Sequence, residues 1–261
     1  YYYLLAENLA RGRGLAVDLI LHFQDRPQTL PWPAGAIWLP GQALAEAAAM
    51  KLFGVCFRGA QAAVVVLAAL ATVLCYQFAR EVSHNKRTHV LAVIFSLASG
   101  SMAVNFVDTD CYTLYGLAGA LALYGMVRWS GGQMVAWSGG QLVRWSKDHQ
   151  TNRPSDHQTS RPIWLASVGL WIGIAHWTRQ DAPLLWAVLL CSLLFWRRQS
   201  RQGDRETRGR GDHFPCLPVT VSPCLLVTLC LYLAIVAPMY LRNLRAVSYT
   251  HLRAHETRHD L

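Results

Sequence analysis

Apolar blocks of about membrane length recur along this chain and are separated by short polar or basic segments. They run over 60–79, 90–107, 112–129, 163–177, 182–196 and 224–241. A helix needs about 20 consecutive apolar residues to cross the hydrocarbon core of a bilayer, and several such blocks in one chain are typical of integral membrane proteins. The pattern therefore predicts an all-α protein, a polytopic transmembrane helical bundle.

The distribution of charge agrees with a membrane protein and argues against a nucleic-acid partner. The chain has 53% hydrophobic and 15% charged residues, with a formal net charge of +9. The Lys and Arg residues lie in the segments between the apolar blocks. Charge in such places sets membrane topology and does not form a binding face. We therefore expect membrane lipid as a partner and no nucleic acid.

Counts of Lys and Arg assign the two sides of the membrane. Fourteen of these residues lie in loops on one side, at 80–89, 128–162 and 197–222. Eight lie on the opposite side, in the segments 1–58, 108–111, 178–181 and 242–245. Loops richer in Lys and Arg stay in the cytoplasm, so the second set is expected outside. We predict a multi-pass membrane protein with these segments on its outer face.

The outward segment 1–58 is the longest piece outside the predicted membrane. Its first residues have apolar side chains at helical spacing, and the prolines between 18 and 40 indicate a loop. Residues 41–53 form an Ala-rich helical pattern that is too short to cross a bilayer comfortably. We expect this juxtamembrane helix to lie at the membrane interface, within the first outer loop.

The remaining chain divides into segments with different expected roles. Transmembrane helices are expected at 59–129, as a helical pair at 163–196, and at 223–245. Short polar repeats fill 130–162 and basic residues fill 197–222. Such composition cannot build a core, so we expect two inserted, poorly ordered cytoplasmic loops, and we assign them no function.

The last residues, 246–261, break the apolar pattern. From Val247 onward they read VSYTHLRAHETRHDL, which resembles the translated read-through of a sequencing adaptor. We expect this tail to be non-native, and a solvated basic tail is the alternative.

Five ionisable residues lie at the predicted outer ends of membrane helices: Asp108, Asp110, His176, Arg179 and Asp181. Ionisable groups at membrane depth are costly and therefore mark candidate functional sites. Basic groups there suit a phosphate or pyrophosphate, and a carboxylate suits a general base or a ligand for a divalent cation. The alternative is that Asp108 and Asp110 cap a helix and that Arg179 pairs with Asp181.

Further candidates lie in the Pro-rich loop, where Trp32 and Trp38 accompany the polar residues Asp18, His22 and Asp25. An aromatic ring beside a carboxylate suits a sugar or an isoprenoid phosphate. The alternative is that the two Trp side chains anchor the loop at the lipid headgroups.

Five stretches, in order along the chain, carry a resemblance to a known family, and two of them are 31–40 with 49–54 and 71–80. Residues 1–14 (YYYLLAENLARGRG) are similar to that family's first outer loop, 173–185 (GIAHWTRQDAPLL) to one of its turns, and 238–243 (PMYLRN) to a later motif. In this order and sidedness the chain resembles the membrane glycosyltransferases of the GT-C fold. The resemblance is to family 39, the protein mannosyltransferase and aminoarabinose-transferase-like superfamily.

The resemblance implies transfer of a sugar from a polyprenyl-phosphate-linked donor to a lipid, glycan or protein acceptor. It implies that Asp110, with Asp108 as the fallback, is the second acidic residue of the active site. The main catalytic Asp is then expected immediately upstream of Tyr1, so the chain is expected to be a fragment that is inactive alone. The expected substrate-binding residues are Arg179, Asp181, His176, Trp32, Trp38, Tyr3 and Glu7.

A transporter or a non-catalytic membrane subunit is the alternative function. A transporter is expected to carry charges or broken helices near mid-membrane. Here the apolar blocks are uninterrupted by charge and the ionisable residues lie at their ends, which favours the enzyme.

Overall fold

The structure is a computed structural model and describes residues 1–19, 30–34, 38–98, 108–129, 135–138, 141–144, 156–194 and 221–259. These residues are mostly helical, which confirms the predicted all-α class. The helices are α1 (Tyr2–Ala10), α2 (Gly41–Phe53), α3 (Phe57–Val82), α4 (Lys86–Leu97), α5 (Tyr112–Trp129), α6 (Asp156–His176), α7 (Leu184–Leu194) and α8 (Val221–His259). Two antiparallel strand pairs accompany them, β1 (Ala16–Val17) with β2 (Trp32–Pro33), and β3 (Val135–Ser138) with β4 (Gln141–Arg144).

Two of the described helices are long and apolar enough to cross a membrane by length and composition. They are α3 and the part Leu225–Leu244 of α8. Both present apolar side chains to the surroundings, for example Val66 and Val73 on α3 and Leu233 on α8. Contiguous exposed apolar surface marks a site that lipid or another protein covers. The number of spans in the predicted polytopic bundle stays a prediction.

Several element boundaries differ from those predicted. Helix α4 begins at Lys86, inside the predicted loop, because the Asn85 side chain accepts a hydrogen bond from the Arg87 amide and caps the helix. The predicted span that contains α4 continues over 99–107, which lies outside the described residues. Helix α6 begins at Asp156, within the predicted low-complexity loop.

Regular backbone structure also extends into the segments to which we assign no function. Strands β3 and β4 pair within the polar repeats, with Ala136 opposite Val143. Helix α8 continues to His259, along the segment 246–261 that was predicted to be a non-native tail. Neither the cytoplasmic side of the repeats nor the origin of the tail is tested by these elements, so both remain predictions.

The core of the described helices lies where α6 packs against α5, α7 and α8. Leu165, Val168 and Ile172 of α6 are fully buried, together with Ala122 of α5 and Leu189 of α7. The spacing of three and four residues places the α6 side chains on one helix face. Full burial of an aliphatic side chain contributes about 1.5–3 kcal/mol. This apolar contact fixes the position of α6 and therefore of the turn that follows it.

Helix α8 approaches α6 at two glycines. Gly169 faces the backbone of Thr228, and Gly173 faces the side chain of Ile235. The Thr228 Oγ1 donates a hydrogen bond to the Leu165 carbonyl oxygen at 2.9 Å. Small residues allow two helix backbones to approach closely, so the glycines set the distance between α6 and α8.

Helices α1 and α2 pack together where α3 begins. Leu5, Ala43 and Met50 in this cluster are fully buried. Helix α2 ends at Gly54, whose φ of 103° lies in the region that favours glycine, and α3 starts at Phe57. The helix predicted at 41–53 is confirmed with the same bounds.

The opposite end of α3 is joined to the last turn of α5. The Arg128 Nη1 lies 2.6 Å from the Glu81 Oε1, and the Arg128 guanidinium lies 5.3 Å from the centroid of the Trp164 ring. Helices α3 and α5 therefore run side by side. Both begin near α1 and α2, and their last turns meet at the Glu81–Arg128 pair.

The close approach of α6 and α8 predicts different effects for two Gly→Ala substitutions. A Cβ at Gly169 would overlap the Thr228 carbonyl oxygen, so Gly169→Ala is expected to lower the free energy of unfolding by about 1–3 kcal/mol. A Cβ at Gly119 in α5 would meet only the Leu185 Cδ1 at 4.0 Å. Gly119→Ala is therefore expected to be neutral or to stabilise by up to about 1 kcal/mol. Thermal unfolding in detergent measures both; equal midpoints for the two variants would contradict the helix contact.

Candidate functional site

Three segments that are remote in sequence meet at the end where α1 and α2 lie. The Gly41 amide at the start of α2 donates to the Trp177 carbonyl oxygen at 2.7 Å. The Leu114 amide in the first turn of α5 donates to the Gln42 Oε1 at 3.2 Å. These contacts bring together five ionisable residues, which we call the polar junction: Glu46, Asp108, Asp110, Arg179 and Asp181.

Arg179 is the cation of the polar junction and is held from two sides. Its Nε and Nη2 atoms each lie 3.0 Å from one carboxylate oxygen of Asp181. Its guanidinium carbon lies 5.0 Å from the centroid of the Tyr112 ring and 5.4 Å from that of Tyr115. The predicted pairing of Arg179 with Asp181 is thus present, and the rings add cation–π contacts.

The charge state of this pair follows from its geometry. The hydrogen bonds from Arg179 lower the pKa of Asp181, and the hydrogen bonds to Asp181 raise the pKa of Arg179 above its already high value. Both groups therefore stay charged over the physiological pH range. The Arg179 side chain is 30% exposed, so its positive charge is accessible from the surroundings.

Asp108 and Asp110 precede α5 and accept local hydrogen bonds. The Asp108 Oδ1 accepts from the Thr109 amide at 2.8 Å, and the Asp110 Oδ1 accepts from the Cys111 amide at 2.6 Å. Asp108 is exposed and Asp110 is half-buried. Both bonds go to the next residue in the chain and not to an amide inside α5. The alternative of helix capping therefore applies only in part, and both carboxylates still lie at the polar junction.

Glu46 is a member of the polar junction to which the sequence interpretation gave no role. Its side chain is fully buried on α2. Its Oε1 accepts from the Gln42 Nε2 at 3.0 Å, and its Oε2 has no hydrogen-bond partner among the described residues. Burial raises the pKa of Glu46 to about 7, against the opposing effect of the Gln42 hydrogen bond. The signal in the sequence was a single acidic residue within an apolar, Ala-rich helix, because buried carboxylates are rare.

Tyr2 on α1 and Cys111 before α5 lie at the edge of the polar junction, next to Asp110. Both side chains are buried. Burial is the main cause that raises the pKa of Tyr2 and of Cys111, and the two side chains share a hydrogen bond. Both groups therefore stay neutral near pH 7 and add no charge to the cluster.

His176 lies apart from the polar junction, between α6 and α8. Its side chain is 3% exposed. The Tyr232 hydroxyl lies 3.0 Å from its Nδ1, and the Tyr240 hydroxyl lies 3.2 Å from its Nε2. A neutral imidazole has one donor and one acceptor nitrogen, so both of its hydrogen-bonding positions are used. These contacts join the two helices, and the predicted substrate contact of His176 stays a prediction.

The predicted candidates in α1 serve packing and a surface ion pair. The Tyr3 ring lies 5.6 Å from that of Phe57, and the Glu7 Oε1 lies 2.7 Å from the Arg11 Nη2. Tyr3 is half-buried, and the Glu7 pair is of the exposed kind that contributes little to stability.

Only some of the loop candidates belong to the residues that the structure describes. Trp38 is exposed, and its ring lies 6.0 Å from that of Tyr1. The Asp18 Oδ2 accepts from the Asn8 Nδ2 at 3.2 Å. Trp32 lies in β2 opposite Val17, and its side chain lies outside the description. His22 and Asp25 lie outside the described residues altogether.

The carboxylates of the polar junction do not form a metal site by themselves. Within the described ranges, no group of three or more His, Cys, Asp or Glu residues is arranged to hold a metal ion. A divalent cation at the polar junction therefore stays a prediction.

The position of His176 predicts a loss of stability without a loss of ligand affinity. His176→Phe leaves the Tyr232 and Tyr240 hydroxyls without their partner. Tyr232 is half-buried, and an unsatisfied buried polar group costs about 1–3 kcal/mol, while the half-exposed Tyr240 adds less. We expect a lower thermal midpoint in detergent and an unchanged affinity for the polyprenyl-phosphate ligand that the resemblance implies. Tyr240→Phe, which removes one hydroxyl from a half-exposed side chain, serves as the milder control. An unchanged midpoint combined with weaker ligand binding would restore the substrate role.

The chain was compared with protein-family models, curated proteins and solved structures. No protein-family model, curated protein or solved structure matches the chain. The resemblance to GT-C glycosyltransferases therefore stays a prediction.

Proposed function

We propose that the complete gene product is an integral-membrane glycosyltransferase of the GT-C type. It transfers a sugar from a polyprenyl-phosphate-linked donor to a lipid, glycan or protein acceptor at the outer face of the bacterial plasma membrane. The observation that supports this proposal is the convergence at the polar junction. An oriented, accessible Arg179 lies over the Tyr112 ring at the start of α5 and pairs with Asp181. Both Arg179 and Asp110 act electrostatically on Cys111.

Arg179 binds the donor phosphate in this proposal. Its guanidinium is planar, permanently charged and able to form two parallel hydrogen bonds to phosphate oxygens. The Tyr112 and Tyr115 rings and the Asp181 carboxylate limit its rotamers before the ligand arrives. A pre-oriented cation loses less conformational entropy on binding than a free side chain does.

The carboxylates act on the acceptor side. A carboxylate upstream of Tyr1, implied by the resemblance, takes the proton of the acceptor hydroxyl as general base. The acceptor oxygen forms a bond to the anomeric carbon while the bond from that carbon to the phosphate oxygen breaks. Arg179 stabilises the charge that develops on the leaving lipid phosphate. Asp110 positions the acceptor, and Asp108 is the fallback for that role.

One observation favours a transporter as the second candidate function. His176 is an ionisable residue buried between α6 and α8, with Tyr232 and Tyr240 on either side. Buried ionisable residues with polar partners also line proton and substrate pathways in transporters. A transporter moves its substrate across the bilayer without chemical change, so the two functions are separated by their products.

Arg179→Ala tests the proposed function in liposomes that contain the complete gene product. We expect a loss of sugar transfer from a polyprenyl-phosphate donor of about 10²–10³-fold, the range for a lost transition-state donor. Arg179→Lys is expected to retain part of the activity, because it keeps the positive charge but loses the planar guanidinium that donates two parallel hydrogen bonds. Transfer is measured as sugar incorporated into an extracted acceptor fraction.

Arg128→Ala is a closely matched control for the loss of a cation. Arg128 also pairs with a carboxylate, lies over an aromatic ring and is 34% exposed, but it is at the opposite end of α5. We expect transfer by this variant to stay within about threefold of wild type, because it leaves the polar junction intact. Equal losses in Arg128→Ala and Arg179→Ala would count against a phosphate site. Solute flux without transfer would favour the transporter.

A further inference from the structure

The buried carboxyl of Glu46 has one bonded oxygen and one unbonded oxygen. The Oε1 accepts from the Gln42 Nε2 at 3.0 Å, while the Oε2 is buried with no partner among the described residues. A buried charge is expensive without a paired cation, and Arg179 is already bound to Asp181. A proton on the Oε2 neutralises the carboxyl and removes the cost of a buried charge.

Gln42 connects this carboxyl to the first turn of α5. The Leu114 amide donates to the Gln42 Oε1 at 3.2 Å, and it is one of the first amides of α5, which lack partners in their own helix. This bond fixes the orientation of the Gln42 amide group, because its oxygen must face Leu114. Its NH₂ group then faces Glu46 and requires an acceptor there. A change at Glu46 is therefore transmitted to the turn that follows Asp110.

The groups around Glu46 come from several elements and act in opposite directions. Asp108 and Asp110 before α5 disfavour its ionised form, and the Gln42 amide favours it. Tyr2 on α1 and Cys111 before α5 stay neutral near pH 7 because burial raises the pKa of each. Burial of Glu46 itself is the largest cause and gives a pKa of about 7.

We propose that Glu46 is a proton-dependent positioning residue for the polar junction. With a proton on its carboxyl, Glu46 keeps α2 against α5 through Gln42 and holds Asp110 in place. Without that proton, the buried charge weakens the contact between α2 and the first turn of α5. The consequence for sugar transfer rests on the proposed function. The coupling between the proton on Glu46 and the contact of α2 with α5 does not.

The direction of the pH effect follows from linkage. The folded pKa of Glu46 is raised from 4.5 to about 7, so the stabilisation is fully present below about pH 4.5. It declines as the pH rises and is lost above the folded pKa. The contact between α2 and α5 is therefore tighter at pH 6 than at pH 8.

Hydrogen exchange of the full chain in detergent, followed by mass spectrometry at pH 6, 7 and 8, measures this contact directly. After correction for the intrinsic exchange rate, we expect exchange in the peptide around 111–116 to rise about tenfold from pH 6 to pH 8. That rise follows the ionised fraction of a carboxyl with a pKa near 7. A flat profile in the wild-type protein would overturn the proposal without any variant.

Three variants assign the effect to Glu46 and Gln42. Glu46→Gln, which carries no titrating proton, is expected to abolish the pH dependence at 111–116. Gln42→Leu is expected to give fast exchange at every pH, because it removes the link. Glu81→Gln, a helical Glu at the opposite end, is expected to keep the wild-type profile. A pH dependence that persists in Glu46→Gln or in Gln42→Leu, or one lost in Glu81→Gln, would refute the coupling.

The exchange experiment is independent of the proposed function because it contains no sugar donor. Absence of sugar transfer would reject the glycosyltransferase while leaving the exchange profile intact. If transfer is observed, Glu46→Gln is expected to flatten its pH profile between pH 6 and pH 8. A merely structural role for Glu46 would lower activity equally at each pH.

Discussion

The hydrogen bond from the Gly41 amide to the Trp177 carbonyl oxygen is the contact on which the polar junction depends. Both groups lie at helix ends, where amides and carbonyls have no partner in their own helix. A Cβ at position 41 would lie 2.6 Å from that oxygen, so glycine allows α2 to begin at this point. Unsatisfied backbone groups in an apolar environment cost several kcal/mol each. The bond therefore fixes where α2, and with it Glu46, lies against the turn that carries Arg179.

The turn that carries Arg179 follows α6, and the apolar packing of α6 in the core determines its position. The buried face of α6 sets the end of the helix, and the Trp177 Nε1 donates to the Ile235 carbonyl oxygen of α8 at 2.7 Å. The His176 contacts to Tyr232 and Tyr240 hold the same end of α6 on the same neighbour. The chain thus uses a residue that looked like a candidate ligand to anchor the segment that presents the guanidinium.

The sequence was sufficient for the parts of the fold that depend on local pattern. The Ala-rich repeat gave α2 with its bounds, and the apolar block gave α3, because helix period and length are local properties. The sequence was insufficient to predict the surroundings of Glu46. The apolar pattern shows which helix face is buried but not which residues of other elements pack against it. Gln42 and Leu114 are separated by 72 positions. The partners of His176 were unforeseeable for the same reason, since they belong to a helix 56 and 64 positions later. The pairing of Arg179 with Asp181, two residues apart, was foreseeable because it is local.

The mixture of charges at the polar junction links the proton on Glu46 to the binding of an anion. Asp181 neutralises Arg179, so in the proposed enzyme a donor phosphate that replaced this carboxylate would also meet the negative potential of Asp108 and Asp110. A third negative charge on the buried Glu46 would add to that repulsion. Protonation of Glu46 removes it and keeps the first turn of α5 in place through Gln42. One proton therefore acts twice in the proposed enzyme, on the electrostatic potential that the donor phosphate meets and on the position of Asp110.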